Sequence, residues 1–156
     1  MDLTAPVRRR ADDPDLASIL DLLRAGFAYM DGRIDPPSSL HRMDVDDIRD
    51  HCQTGEVWTI GAPPVACMFL TYKPGALYVG KLCVAETARS RGLARALIDM
   101  AQDRARTLDL PVVELQTRVE LTENHATFAR LGFVEVGRTA HAGYDRPTSV
   151  TMQLRV

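Results

Sequence analysis

Apolar positions along this chain recur with two different periods, and the changes of period mark its elements. Leu16, Ile19, Leu20, Leu23 and Phe27 follow helical spacing. They predict a first helix over residues 14–29, with Asp13 as N-cap and Pro14 at the first helical position. A shorter helix is predicted over residues 45–53, stopped by Gly55. Ala94, Leu97, Ile98, Ala101, Ala105 and Leu108 predict a third helix reaching residue 107, and a fourth spans residues 123–131 before Gly132. Strand-like runs occupy residues 7–9, 56–60, 65–72, 77–84, 112–117, 133–137 and 149–156. In the last of these, Val150, Met152, Leu154 and Val156 alternate strictly with Ser149, Thr151, Gln153 and Arg155.

The order is strand, two helices, three strands, helix, strand, helix, two strands. It predicts a mixed α/β sheet with helices on both faces. The three strands between residues 56 and 84 form a meander. The helix that follows lets strand 112–117 lie parallel to strand 77–84. The last strand is expected to pair with the one before it. Residues 31–39 carry Gly, two prolines and two serines and read as a loop. This loop and the helix after it lack a strong apolar face, so their expected role is to cover a site and not to build the core. No repeat or linker divides the 156 residues, which are expected to form one domain over residues 1–156.

Composition narrows the class. At 46% hydrophobic and 26% charged, with a net charge of -2, the chain reads as an ordinary globular protein, and nucleic acid is disfavoured as a partner. The Arg8–Arg10 cluster reads as a solvated end of the chain. Cys52, Cys67 and Cys83 are an odd set without metal-ligand spacing, so free thiols in a reducing compartment are expected. Cys67 and Cys83 lie within apolar runs and read as small buried hydrophobes. The four histidines form no His-Glu-x-x-His, and no metal site is expected. No apolar run of about 18 residues and no signal-peptide core occurs, which predicts a cytoplasmic protein without membrane association.

The chemistry concentrates in the turn Arg89-Ser90-Arg91-Gly92-Leu93-Ala94, which joins a strand to the start of a helix. The first N–H groups of a helix lack internal partners and carry partial positive charge, and Gly92 permits close approach to the backbone. The turn is therefore a candidate anion cradle, flanked by Arg89 and Arg91. No Gly-x-Gly-x-x-Gly follows a strand and no Gly-x-x-x-x-Gly-Lys-Ser/Thr occurs, which disfavours a dinucleotide fold and a P-loop. A flavodoxin-like binder conflicts with three successive strands ahead of the turn.

Arg89-x-x-Gly92-x-Ala94 closely resembles the pyrophosphate signature Arg/Gln-x-x-Gly-x-Gly/Ala of the GNAT superfamily of acyl-CoA-dependent N-acyltransferases. Leu82-Cys83-Val84 ahead of it resembles that family's central strand. Asn124 and Phe128 followed by Leu131-Gly132-Phe133 resemble its closing helix and Gly-Phe ending. The resemblance covers residues 7–156. It implies a GNAT-like fold: a mostly antiparallel sheet of about seven strands with one parallel, splayed pair and helices on both faces.

The same resemblance implies acetyl-CoA as co-substrate. Backbone N–H groups of Ser90, Arg91, Gly92, Leu93 and Ala94 would receive the pyrophosphate, with the Arg89 and Arg91 side chains nearby. The pantetheine arm would run beside Leu82, Cys83 and Val84 like an added strand. The Val84 N–H would polarise the thioester carbonyl, and Asn124 and Phe128 would flank the arm. Read without the resemblance, Asn124 is a first-turn polar residue and Phe128 a core aromatic.

Two positions depart from the family pattern. The helix position four before Gly132 usually carries a Tyr that protonates the leaving thiolate, and here it is Phe128. The strand positions where some members place a Glu or His base are Tyr78 and Gly80, and Tyr is a poor base near its ordinary pKa of about 10. In the loop between the last two strands, Tyr144 is the candidate general acid and His141 the candidate base or relay. An exposed His141 and a Tyr144 ring packed on the core are the plainer alternatives, and proton loss to water would also suffice. Tyr29, Met30, Arg33, Asp35 and His41 would wall the acceptor site.

Two functions follow from these features. One is transfer of an acetyl group to a primary amine of a small molecule or a peptide amino terminus. The other is a CoA-binding sensor or scaffold without efficient transfer. Homodimerisation is common among proteins that resemble this chain, and the final strand or a sheet face is the candidate contact.

Overall fold

The computed structural model describes residues 5–156. Among these residues seven strands join one sheet. Strand β1 (Val7–Arg9) pairs antiparallel with β2 (Glu56–Ile60), which pairs with β3 (Ala66–Lys73), which pairs with β4 (Ala76–Val84). Strand β5 (Val112–Arg118) lies parallel to β4. Strand β7 (Ser149–Arg155) sits between β5 and β6 (Val134–Thr139), antiparallel to both. The spatial order is β1-β2-β3-β4-β5-β7-β6, mixed with one parallel pair, as the sequence predicts. The last strand does pair with the one before it. Because β7 is hydrogen-bonded on both sides, it cannot offer an edge to a second copy, and the sheet edges are β1 and β6.

The helices divide between the faces according to their apolar stripes. Helix α3 (Leu93–Thr107) buries Leu97, Ile98, Ala101 and Ala105 against Met68, Leu70, Leu77, Val79, Val113 and Leu115. Phe128 of α4 (Thr122–Arg130) packs on the same cluster. On the opposite face α1 (Leu16–Gly26) and α2 (Val45–Thr54) bury Leu16, Ile19, Leu23 and Ile48 with Val57, Cys67, Phe69 and Cys83. Helix α2 was expected only to cover. Its Ile48 is wholly buried, so one turn of it belongs to the core.

Several helix ends differ from expectation. The Asp13 carboxylate accepts the Asp15 N–H at 2.8 Å, which holds Pro14 in a turn and delays α1 to Leu16. The same helix stops at Gly26, and Ala28–Met30 tighten into a 3-10 turn closed by Met30 N–H to Phe27 O at 3.0 Å. Helix α3 ends at Thr107 as predicted, but Leu108, read as part of its apolar face, falls outside it and is exposed. Helix α2 opens with a reciprocal capping box: Asp44 accepts from the Asp47 N–H at 3.0 Å and Asp47 accepts from the Asp44 N–H at 2.9 Å. Among the described residues no helix is long and apolar enough to cross a membrane.

Candidate active site

Two breaks in the sheet create the site. The β4–β5 ladder runs only from Leu77↔Val113 to Val79↔Leu115, so the two strands part beyond Val79. On the other side of β4 the register against β3 slips between Cys67 and Phe69, which adds one residue to β4 at Lys81 and Leu82. Lys81 takes a left-handed φ of 52° there. The Ala85 N–H donates to Val65 O, towards β3. Strand alternation therefore turns the N–H groups of Val84 and Leu82 to the opposite edge, where β5 no longer pairs.

The split opens a cleft of about 1700 Å3 that reaches both faces of the sheet. One half lies against the start of α3. Gly92, at φ 76°, is the residue before the helix, and a Cβ there would meet nothing within 4 Å. Among the described residues no side chain caps this end of α3, which leaves its first N–H groups open to a ligand. Arg89, Ser90, Gly92, Leu93 and Ala94 line the cleft together with Leu82, Cys83 and Val84. Arg91 is exposed and does not line it. Across the cleft stand Asn124, Thr127 and Phe128 of α4. The Phe128 ring meets Phe133 edge-on at 6.1 Å, so it serves the core as well as the cleft wall.

The other half lies under the segment after α1. Tyr29 and Met30 line it, and Asn124 Nδ2 donates to Tyr29 Oη at 3.1 Å, joining this segment to α4. Arg33 does not line the cleft. It pairs with Glu123 at 2.7 Å and lies over the Tyr29 ring. Asp35 and His41 also face elsewhere: Asp35 takes Tyr144 Oη at 2.5 Å, and His41 pairs with Asp31 at 2.9 Å. Arg118 Nη1 donates to Pro36 O at 2.7 Å, and Lys81 Nζ reaches Ser39 Oγ at 3.5 Å.

Of the proposed proton carriers, Tyr78 and His141 line the cleft and Tyr144 does not. The hydrogen bond to Asp35 raises the Tyr144 phenol and ties it to the loop. Burial, then the Glu114 carboxylate, raises the Tyr78 phenol, with the Gln116 backbone acting the other way. Tyr78 therefore stays protonated at neutral pH and can act as an acid but not as a base. His141 Nδ1 is engaged by the buried Thr148 hydroxyl. Burial pushes the Cys83 thiol up to about 11 against the pull of Arg89, which removes it as a nucleophile near neutral pH. Burial also raises the Cys67 thiol well above its ordinary value.

His51, Lys81 and Arg118 also line the cleft, and sequence reading alone did not single them out. His51 tilts against Phe69, with ring centroids 5.0 Å apart, and its Nε2 lies 2.9 Å from Leu70 O. A carbonyl only accepts, so Nε2 carries the proton and Nδ1 has the free lone pair. Burial lowers the His51 pKa, the Leu70 carbonyl opposes this, and Lys81 lowers it further, so the ring is neutral at pH 7. The signals were present in the sequence. Lys81 is the one charge inside the apolar run 77–84, and His51 falls three residues after Ile48 on the inner face of α2. Among the described residues no three His, Cys, Asp or Glu side chains are grouped to hold a metal ion.

Comparison with known proteins places this architecture. No curated protein matches the sequence significantly. An acetyltransferase from Streptococcus agalactiae has the same fold at a TM-score of 0.72 and 16% identity, over 97% of this chain and 99% of its own. A GNAT family acetyltransferase from Elizabethkingia anophelis, crystallised with acetyl-CoA, aligns over 100% of both chains at TM-score 0.69 and 14% identity. The ribosomal-protein-S18-alanine N-acetyltransferase of Escherichia coli aligns at 0.68 and 15% identity, over 96% of this chain and 93% of its own. These identities establish a shared fold. The sequence itself matches the model of the acetyltransferase (GNAT) family over residues 17–133, from within α1 to Phe133. On that match, which takes in the split strands and the turn before α3, the chain belongs to the GNAT acetyltransferase family.

Proposed function

We propose that the protein is an N-acetyltransferase that moves an acetyl group from acetyl-CoA to a primary amine. The observation that carries this is the unpaired edge of β4 at Leu82 and Val84, which opens onto the start of α3 across the split from β5. An extended amide-bearing chain can pair with such an edge. A pyrophosphate suits the uncapped N–H groups at Gly92–Ala94, where Gly92 leaves the approach open and Arg89 adds charge. Neighbours of the same fold were crystallised with CoA or acetyl-CoA, which supports the same co-substrate here.

Acetyl-CoA supplies an activated carbonyl: the amine nitrogen forms the new C–N bond, the C–S bond breaks, and the thiolate leaves. The chain's own residues must hold the partners and move two protons. Val84 N–H is the donor to the carbonyl oxygen as negative charge develops on it. His51 Nδ1, neutral and unengaged, accepts the proton of the attacking amine. Tyr78, protonated in the wall of the cleft, replaces the donor that Phe128 lacks and returns a proton to the sulfur. Tyr144, bound to Asp35 off the cleft wall, has no part in this scheme.

A second reading, a CoA-holding module without transfer, draws on Phe128, whose ring is committed to Phe133. Calorimetric titration with CoA tests both readings, and absence of binding at millimolar CoA removes both. Thiol release from acetyl-CoA across a panel of amines separates them. Release that depends on an amine supports the transferase; CoA binding without any release leaves the module.

A further inference from the structure

The half of the cleft under the segment after α1 contains two cations, Lys81 and Arg118, that form no ion pair among the described residues. Lys81 projects from the β4 irregularity, and Arg118 ends β5 just past the split. Among the described residues neither lies within 4.0 Å of a carboxylate oxygen. Lys81 has only the Ser39 hydroxyl, at 3.5 Å. Arg118 donates to the Pro36 and Pro37 carbonyls at 2.7 and 3.5 Å, which satisfies N–H groups without a carboxylate contact.

The two also repel. Burial first, then the Arg118 charge, lowers the Lys81 ammonium from its ordinary value. Placing two unpaired cations together in a partly desolvated wall is costly unless an anion arrives there. The carboxylates that line the cleft do not fill this role: Glu123 is held by Arg33 at 2.7 Å, and Glu86 precedes Arg89 on the α3 side. Arg89, Arg95 and Arg130 line the α3–α4 half, so these two cations are additional to the charge that would meet a pyrophosphate.

From this juxtaposition we infer that the acceptor is an amine that also carries a carboxylate, of the α-amino acid class, with Lys81 as the carboxylate anchor and Arg118 beside it. The inference rests on the transferase reading and names its substrate class. His51 stands in the same wall as Lys81, so an amine held by its carboxylate lies within reach of a neutral imidazole. A cationic or neutral amine gains nothing from this wall. A long peptide amino terminus, with no carboxylate near its nitrogen, leaves both cations unpaired.

The test sets α-amino acids against their own amides, at equal concentration of neutral amine, and follows thiol release from acetyl-CoA by the full chain. The acids are expected to have a lower KM by about ten- to hundredfold, the range of one charge-assisted pair. Lys81→Met should erase that difference by raising KM for the acids alone, and Lys81→Arg should keep most of it. Thermal unfolding of each variant controls for folding. Amides turned over as well as acids, or a preference that survives Lys81→Met, overturns the inference while leaving the transferase intact. Calorimetric titration of the same acids and amides, with and without CoA, decides the matter if no amine is turned over. Binding of acids but not amides supports the anionic pocket even where the transferase reading fails, and binding without preference overturns it.

Discussion

Arg104 meets the buried Glu56 through both arms of its guanidinium group, Nε to Oε1 and Nη2 to Oε2, each at 2.8 Å. Trp58 Nε1 and Tyr72 Oη donate to the same carboxylate at 2.9 and 2.8 Å, so all its acceptor directions are used. The pair ties α3, whose first turn faces the cleft, to β2. Removing Arg104 leaves Glu56 charged and buried, which costs about 3–5 kcal/mol, whereas removing the Glu56 charge leaves a partly exposed Arg104 that water can reach and costs less. Arg104→Met should lower the melting temperature by several degrees in thermal unfolding, and Glu56→Gln by less. Burial alone would raise the Glu56 pKa, but Arg104, Trp58 and Tyr72 reverse this and hold it below 4.5. Its contribution is thus full above the unfolded value near 4.5 and fades as pH falls through the lower folded value. The wild type should lose stability more steeply than Arg104→Met below pH 4.5.

Gly26 ends α1 directly over β4. A Cβ at this position would fall 2.2 Å from Cys83 Sγ. Gly26→Ala should therefore push α1 off the strand that forms the cleft floor and cost about 1–3 kcal/mol. Adding Cys83→Ala removes the obstructing sulfur, and the pair should be markedly less destabilised than the sum of the two single changes. Additive losses in denaturant unfolding would show that this contact is not the cause.

The sheet was legible because its signals are local and repeated. Most strand runs carry β-branched or aromatic residues with a Gly or Pro near one end, and in Ser149–Arg155 the alternation placed Val150 and Met152 on the buried face, although Ser149 of the polar set is buried too. The turn before α3 was legible for the same reason: Arg89 to Ala94 is contiguous. The acceptor half of the cleft was not legible, because it is assembled from residues far apart in sequence. His51 meets Leu70 across 19 positions, Asn124 meets Tyr29 across 95, and Tyr144 meets Asp35 across 109. The last of these draws Tyr144 to the loop and off the cleft wall, a pairing between two loops that no periodicity encodes. The irregularity at Lys81 is equally silent, since Gly80-Lys81-Leu82 reads as uninterrupted strand until its register against β3 is known.

Gly92 separates stability from ligand binding. Its φ of 76° disfavours any side chain by roughly 1–2 kcal/mol, while the space around its absent Cβ is empty. Gly92→Ala should unfold at a slightly lower temperature and weaken CoA binding by about tenfold or more, because a methyl group would stand where a pyrophosphate approaches the backbone. Calorimetric titration with CoA checks this. An unchanged affinity in the folded variant would move the pyrophosphate away from this turn.

His51 makes the chemistry visible in a pH profile. Its ring is held neutral below its ordinary value of 6.5 by burial and by Lys81, the charged group that acts on it. A base must be unprotonated to accept a proton, so kcat/KM should fall on the acid side with a midpoint under 6.5. The acceptor amine adds its own limb at higher pH, and that limb should move when the amine is changed. The His51 limb should not move with the amine. His51→Asn should remove the low-pH limb and lower kcat by about 10²- to 10⁴-fold, with CoA affinity retained. Persistence of the same limb in His51→Asn would pass the base role to His141, the other imidazole in the cleft wall.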